Sequence, residues 1–415
     1  MKLLKWFYPG MKIKRWIALT VFGTTMLSMG FVIIISEEQG QASLGTSIVI
    51  IIGIIALITG VKRIINSLIT IFLPEREKDL VDIVYKKRQL EKGPRIVAIG
   101  GGVGFTTVLR GLKEYTNNIT AVVTVIDEGR VSSRMQAQSD IPPPAGVRES
   151  LIALADAELV VGNLFHYRFK KGTELWGYNF GDLFLTAMSG VMGDFDRAVK
   201  ESSRVLAIRG QVALSTLAKV SLIAHHADGA ETIGKENILN STNPIKRVYL
   251  RPQSAKATQE VVSALLKAEA IVFCPGSLYT ELMPALLVGG VKEELLNSKA
   301  VKIYIANIMT KSGETDNYKT SDHLKGIAEH VGQNLVNYCI VNRNRISAEQ
   351  VKRYEQEGAE VVPVDKEGLT KFGCKVIEES IIDKTSGPVR HNPLKLAEII
   401  LNLISESKKA KVHSK

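Results

Sequence analysis

The chain is poor in cysteine, and this scarcity limits what kind of protein it can be. Its 415 residues contain three cysteines, Cys274, Cys339 and Cys374, which are odd in number and far apart. A disulfide framework and a cysteine-based metal site both need more cysteines at closer spacing. The pattern therefore predicts no structural disulfide and fits a domain that stays in a reducing cytoplasm.

Charge is missing from two long stretches near the amino terminus. Ile17–Ile35 and Leu44–Val61 contain no ionisable residue, and each has about the length of a helix that crosses a bilayer. Only Ser36–Ser43 separates them, so we expect a helical hairpin. Because neither span carries an ionisable side chain, we expect it to act as an anchor and not as a transport path.

The flanks of these stretches predict the orientation of the hairpin. Lys14 and Arg15 precede the first span and Lys62 and Arg63 follow the second, whereas the connector carries acidic residues and no lysine or arginine. The positive-inside rule then places both termini and the main domain in the cytoplasm. The expected localisation is the cell membrane, with two transmembrane helices at about 17–35 and 44–61.

Signals for nucleic-acid binding are absent despite a formal net charge of +11. No zinc-finger spacing or aromatic–basic motif occurs, and part of the excess charge lies in the amino-terminal flank and in a basic tail that begins near Lys408. We therefore predict no nucleic-acid partner.

The most informative stretch begins at Ile96. Ile96–Ile99 is a short apolar run typical of a buried strand, Gly100–Gly104 is almost all glycine, and Phe105–Lys113 has helical spacing of apolar residues. A helix that starts in this way presents unpaired amides, and glycine lets an anion approach them closely. This order predicts a phosphate-binding loop.

A second apolar run, Ile119–Ile126, is followed by Asp127 and Glu128. An acidic residue after the second strand of a dinucleotide-binding fold binds a ribose hydroxyl, so an NAD-dependent enzyme is one hypothesis. Thr107 stands where that fingerprint has its third glycine, which makes this the weakest of the hypotheses considered.

The remainder alternates strand-like and helix-like segments without repeats. We predict an α/β fold with a Rossmann-like, doubly wound, mostly parallel sheet, preceded by the transmembrane hairpin. The domains are expected at 1–65 (membrane anchor), 66–93 (connector helix), 94–405 (ligand-binding domain) and 406–415 (basic tail). Phe180–Val191 is predicted to be a buried helix and Pro393–Ile404 a closing amphipathic one. Further strands are predicted at 205–208, 220–224, 247–250, 270–273, 301–305 and 338–341.

Two later loops resemble the glycine-rich loop in that each directly follows a predicted strand. The strand at 270–273 leads into Cys274–Thr280, and the strand at 301–305 leads into a polar loop that begins near Asn307. Ligands of doubly wound sheets bind outside the carboxyl ends of the strands. Three such loops together favour one composite site.

Five stretches resemble a known family. They read GPRIVAIGGGVG, AVVTVIDEG, PGSLYTE, ANIMTKSGETDNY followed by SDH, and RHNPLKLAEII. In this order they are similar to the YvcK proteins, or gluconeogenesis factors, which are related to the CofD phospholactate transferases. The resemblance covers roughly Glu75–Ile404. It implies a Rossmann-like core that binds a nucleotide-linked ligand.

The resemblance also implies a function and a site. YvcK relatives bind nucleotide sugars such as UDP-N-acetylglucosamine and are linked to cell-wall precursor supply, cell shape and gluconeogenic growth, which implies a cytoplasmic protein partner in cell-envelope metabolism. A homo-oligomer stays open. The ligand-binding residues implied are Gly100, Gly101, Gly102, Val103, Gly104, Asp127, Ser132, Arg134, Arg148, Gly276, Ser277, Tyr279, Asn307, Thr310 and Glu314.

Departures from the family pattern concern its acidic and amide residues. Gly146 stands where the family has an aspartate, Glu149 where it has an asparagine, and Asp182 where it has another asparagine. CofD relatives transfer a phospholactyl group with the help of a divalent metal, and carboxylates are needed to hold that cation. We therefore expect a non-catalytic protein without a resident metal. The alternative is a transferase that uses Asp127 or Glu128, the catalytic candidates, with Mg²⁺ as its cofactor.

The histidines have simpler interpretations. His225 and His226 are adjacent in a predicted strand, so their rings face opposite sides and a structural role is favoured over metal binding. His323 follows Asp322 and is expected to cap the loop before a helix that begins near Leu324.

Overall fold

The computed structural model describes residues 14–36, 44–72, 80–126, 145–173, 175–383 and 388–413. The chain divides into two compact units, Met1–Arg88 and Gln89–Lys415. Each unit is described by itself.

The first unit contains the hairpin. Its two helices, α1 (Lys14–Ser36) and α2 (Leu44–Phe72), pack so closely that a Cβ placed on Gly23 would lie 2.8 Å from the carbonyl oxygen of Gly53. Near the start of α1, the Arg63 guanidinium lies 5.3 Å from the ring centre of Trp16. Both helices are long and apolar enough to cross a membrane, as predicted, and are compatible with an anchor.

The second unit is built on a seven-stranded sheet in which every neighbouring pair is parallel. The strands are β1 (Ile96–Ile99), β2 (Ile119–Val123), β3 (Gln211–Leu214), β7 (Ala270–Phe273), β8 (Val301–Ile305), β9 (Tyr338–Asn342) and β10 (Lys375–Glu379). Their order in the sheet is β10-β9-β8-β7-β1-β2-β3. This confirms the predicted doubly wound α/β architecture.

A smaller antiparallel sheet is inserted between β3 and β7. Its order is β5-β4-β6, with β4 at Ser221–His226, β5 at Glu231–Ile233 and β6 at Ile245–Arg251. The short helix α9 (Lys235–Leu239) follows β5 directly.

Helices cover the large sheet and close the unit. Before the insertion they are α4 (Gly102–Leu112), α5 (Ala145–Leu154), α6 (Glu158–Phe165), α7 (Phe180–Met192) and α8 (Phe195–Val205), whereas α3 (Leu80–Glu91) spans the boundary between the two units. After it they are α10 (Gln259–Lys267), a π-helix (Leu278–Leu282), α11 (Met283–Leu286), α12 (Val291–Asn297), α13 (Thr320–His330), α14 (Ala348–Gln356), α15 (Lys366–Thr370) and α16 (Pro393–His413).

The core lies on both faces of the large sheet. Alternate residues of β1 belong to the two clusters, Val97 and Ile99 to one and Ile96 and Ala98 to the other. On the second face α4 packs against α16 so closely that a Cβ on Gly111 would lie 1.9 Å from the carbonyl oxygen of Pro393. This contact fixes α4, and therefore its amino-terminal turn, relative to the sheet.

Several local predictions were wrong. Residues 205–208 are not a strand, because α8 runs to Val205 from an Asp194 cap and the chain then turns through Gly210 into β3. The segment 180–191 is helical, but only Gly181, Leu185 and Ser189 are buried, so α7 covers the core with one face. The strands β3, β5 and β10 were missed, and neither β5 nor β10 is a continuous buried run. Helix α16 extends to His413, beyond its predicted end at Ile404.

Candidate functional site

The sheet topology brings the loops after β1 and β7 together. From β1 the chain continues to β2 and β3 on one side, whereas β7, β8, β9 and β10 lie on the other. Ile99 and Phe273, the last residues of β1 and β7, are paired neighbours. In open α/β sheets, ligands bind at the point where the strand order reverses. The glycine-rich loop lies at that point, as its sequence predicts.

The loop after β1 requires glycine for two physical reasons. Gly102 opens α4 with a φ of 68°, a left-handed conformation that favours glycine. A Cβ on Gly104 would lie 2.2 Å from the carbonyl oxygen of Pro275, so the first turn of α4 touches the loop after β7. Val103 is 53% exposed in this turn. The turn therefore presents backbone and one exposed apolar side chain.

The loop after β7 is held by Asn307. The Asn307 side chain accepts a hydrogen bond from the Gly276 amide at 3.0 Å and donates one to the Gly276 carbonyl oxygen at 2.7 Å. Asn307 was predicted to contact the ligand, but both ends of its amide are used to position Gly276. Ser277, which is partly exposed, follows at the start of the π-helix.

The carboxy-terminal segment supports the same arrangement. His391 is buried and lies 3.2 Å from the carbonyl oxygen of Ala306, the residue before Asn307. Burial lowers the pKa of His391 to about 4. The neutral ring therefore stabilises the loop after β8, and through Asn307 it supports the loop after β7.

Glu314 lies beneath the π-helix. It is 4% exposed, and its Oε1 accepts a hydrogen bond from the Thr280 amide at 2.8 Å. Its Oε2 and the Thr280 hydroxyl have no hydrogen-bond partner within the described part of the chain. Burial, opposed by the Thr280 amide and reinforced by the charge of Glu281, raises the pKa of Glu314 to about 7. Glu314 therefore supports the second loop from below.

Glu281 is the site residue that sequence reasoning missed. Its Oε2 lies 2.3 Å from the position that a Cβ on Gly102 would take, and 3.2 Å from the corresponding position on Gly276. Its Oε1 accepts a hydrogen bond from Lys235 Nζ at 3.1 Å. Local sequence patterns do not indicate the contact between Glu281 and Lys235, because Lys235 lies 46 residues away in the inserted antiparallel segment. We call the two loops that contain Gly102 and Gly276 the cradle, and Glu281 lies against both of them.

Arg148 is ion-paired with carboxylates that depart from the family pattern. Its guanidinium contacts Asp182 Oδ1 and lies 3.1 Å from Glu149 Oε1. The Asp182 carboxylate also accepts a hydrogen bond from the side-chain amide of Asn179 at 2.6 Å. The Asp182 backbone N–H in turn donates to Asn179 Oδ1 at 2.8 Å, which caps the start of α7. Its carboxylate is therefore committed to local contacts, and Arg148 is already neutralised.

Tyr279 and Thr310 make their hydrogen bonds to other parts of the protein. The Tyr279 hydroxyl lies 2.9 Å from that of Tyr318 and lines a cavity of ≈ 1000 Å³ with residues of β6 and α13, including Arg247 and His330. Burial raises the pKa of Tyr279. Thr310 exchanges hydrogen bonds with the backbone of Glu360. Thr310 therefore has a structural role.

The predictions for the histidines have different outcomes. His226 is buried, with ring nitrogens 2.9 Å from the Asn243 carbonyl oxygen and 2.9 Å from the Thr232 hydroxyl, which is a structural role as predicted. His225 lines the cavity with Tyr279. His323 lies inside α13, which begins at Thr320, so the predicted helix start was late.

Four predicted ligand or catalytic residues, Asp127, Glu128, Ser132 and Arg134, lie outside the described residues. Within the described ranges, no group of three or more histidine, cysteine or acidic side chains is arranged to hold a metal ion.

Glu314 makes stability depend on pH. The folded pKa of about 7 lies above the ordinary glutamate value of 4.5, so the folded chain binds more protons between these values and its stability falls as pH rises through them. Relative to Glu314→Gln, the native chain should lose up to about 3 kcal/mol of unfolding free energy from pH 4.5 to 7. Denaturant titrations at several pH values measure this difference.

The comparison with Glu314→Gln is needed because His391 acts in the opposite direction. Its pKa is lowered by burial, so its contribution rises with pH from about 4 to 6.5. That contribution is present in both chains and cancels in the difference. Parallel pH profiles for the two chains would contradict the assignment to Glu314.

Comparisons with known proteins agree with this architecture. Residues 96–382 match the family model of the 2-phospho-L-lactate transferase CofD. A gluconeogenesis factor from Bacillus subtilis is 40% identical over 75% of this chain and 99% of its own length. A relative from Clostridium acetobutylicum, which is also named as a gluconeogenesis factor, is 39% identical over 98% of this chain and 93% of its own length.

A solved structure shows the same fold. The crystal structure of a UPF0052 family member from Bacillus halodurans has a TM-score of 0.71 and 40% identity, and the match covers 75% of this chain and 99% of that one. The chain therefore belongs to the gluconeogenesis factor (YvcK/UPF0052) family, within the CofD group.

Proposed function

We propose that the protein is a membrane-anchored, non-catalytic binder of a nucleotide sugar of the UDP-N-acetylglucosamine type. In this role it regulates cell-wall precursor supply, cell shape and gluconeogenic growth through a cytoplasmic protein partner. The observation that carries the proposal is the cradle, where two glycine loops meet at the reversal of strand order. The similarity to proteins named as gluconeogenesis factors supports the proposed regulatory role.

The geometry suits a diphosphate. The first turn of α4 presents backbone amides and the positive end of a helix dipole, both of which favour an anion. Gly276 brings a second stretch of backbone to the same place. The exposed Val103 offers an apolar surface next to the anion, which suits the base or sugar of the ligand.

The non-catalytic assignment is supported by the carboxylates near the site. Asp182 and Glu149 are paired with Arg148, and Glu314 is buried beneath the π-helix. The alternative function, metal-dependent transfer of a phosphoryl-linked group, is favoured by the match to the CofD family model. It would draw on Asp127 or Glu128 and on Mg²⁺, which binds to one or two carboxylates together with substrate phosphates.

Ligand binding should stabilise the protein. UDP-N-acetylglucosamine at about 100 times its dissociation constant should add about 2.7 kcal/mol to the unfolding free energy, which thermal-shift measurement detects. The stabilisation should not require magnesium, whereas UMP and free N-acetylglucosamine should give smaller shifts. Stabilisation by GDP alone, and only with magnesium, would favour the transferase.

A negative charge placed in the cradle tests whether the ligand binds there, and the same charge placed elsewhere is the matched control. Val103→Asp should abolish the shift, because it puts a negative charge beside the bound diphosphate on an exposed position that does not disturb the core. Val205→Asp introduces the same charge at another exposed helical valine and should leave the shift unchanged. Equal shifts for both variants would remove the cradle as the binding site.

We further propose that the hairpin anchors the protein in the cell membrane with both termini in the cytoplasm. The two apolar helices and their basic flanks support this orientation. All three native cysteines are buried, so a thiol reagent should label mainly the introduced cysteine. In intact cells a membrane-impermeant maleimide should label Gln39→Cys and not Ala410→Cys. Labelling of Ala410→Cys alone would reverse the orientation.

A further inference from the structure

Glu281 lies at the place where the proposed ligand would put its diphosphate. One carboxylate oxygen is close to both Gly102 and Gly276, the two glycines that let backbone approach an anion from either side. The side chain is 17% exposed, so it lies within the cradle and does not extend into solvent. An anion of the protein's own chain therefore takes the position for which the cradle is suited.

Lys235 holds this carboxylate from the other side. Its Nζ lies 3.1 Å from Glu281 Oε1, and its side chain is 28% exposed. Lys235 is the first residue of α9, which the inserted antiparallel segment brings against the π-helix. The inserted segment thus contributes a cation to a site that the large sheet otherwise builds.

A diphosphate and the Glu281 carboxylate cannot share this position. Two like charges at contact distance in a partly buried site repel strongly, and the glycine backbone offers one set of amides. Lys235, in contrast, attracts either anion. Binding therefore has to move the carboxylate and leaves the lysine free to contact the phosphates.

We propose that Glu281 is an internal competitor for the diphosphate cradle and that Lys235 is a ligand-binding cation, transferred from Glu281 to the phosphates when the ligand enters. This inference rests on the proposed function, because it names the residues that set affinity at the same site. Glu281 lowers the affinity of the chain for its ligand, so that binding occurs only when the ligand is abundant.

Calorimetric titration of the full chain in detergent micelles tests this, with UDP-N-acetylglucosamine and inorganic pyrophosphate as probes. Glu281→Gln keeps the size of the side chain and removes its charge, and it should bind both probes at least about tenfold more tightly than the native chain. Adding Lys235→Met to Glu281→Gln should reverse most of that gain. Thermal unfolding without ligand confirms that each variant is folded.

Glu260→Gln is the matched control. Glu260 Oε1 pairs with Lys200 Nζ at 2.5 Å on α10 and α8, so the substitution removes the same charge from another lysine–glutamate pair. It should leave both affinities unchanged. A tenfold gain in this variant as well would mean that net charge, and not the cradle, sets affinity, which would overturn the inference.

The two probes separate failure of the inference from failure of the proposed function. If the native chain binds the UDP-sugar and Glu281→Gln binds it no more tightly, Glu281 is not a competitor and the inference is wrong. A Glu281→Gln variant that binds more weakly, and only with magnesium, would make Glu281 a cation ligand and would also overturn it. If neither chain binds the UDP-sugar, the proposed function fails, and the pyrophosphate affinities alone decide the role of Glu281.

Discussion

The close approach of two backbone loops is the constraint on which the site depends. The first turn of α4 can touch the loop after β7 only because Gly104 has no side chain to meet the carbonyl oxygen of Pro275. That approach requires β1 and β7 to be neighbours, which follows from the strand order. It also requires Gly276 to be held in place, which Asn307 achieves with both ends of its amide.

Support for the two loops comes from remote parts of the chain. Glu314 binds the Thr280 amide from beneath, and His391 contacts the residue before Asn307. Both side chains are buried and shifted toward their neutral forms, which reduces the cost of placing them inside the core. Three residues of the later motifs, Asn307, Glu314 and His391, therefore help to position the loops.

Charge around the site is balanced within the chain. Arg148 is paired with Glu149 and Asp182, and Lys235 is paired with Glu281. The carboxylates at the positions where this chain departs from the family pattern thus have identified partners. Their contacts explain how the chain tolerates these charges near the site.

Local order in the sequence predicted the architecture well. The strands at 96–99, 270–273 and 301–305 were predicted with their observed bounds, because buried parallel strands are short, continuous apolar runs. The glycine loop could be found in the same way, since its residues are consecutive. The strands β5 and β10 could not, because they are partly exposed and lack such runs.

The finer features of the site depend on contacts between distant segments. Nothing near Glu281 indicates that Lys235 will reach it, and nothing near Asn307 indicates that Gly276 will occupy its amide. The resemblance implied Asn307 and Thr310 as ligand contacts, and local sequence could not indicate their hydrogen bonds to Gly276 and Glu360. Periodicity reports which face of an element is buried, but it does not report which loops meet.

Hydrogen–deuterium exchange tests the central claim, that the cradle binds the ligand's diphosphate, most directly. Exchange at the amides of residues 100–104 and 276–282 should slow in both loops together when UDP-N-acetylglucosamine is added. Protection confined to β6 and α13, with both glycine loops unchanged, would place the ligand in the cavity beside Tyr279 and contradict the account.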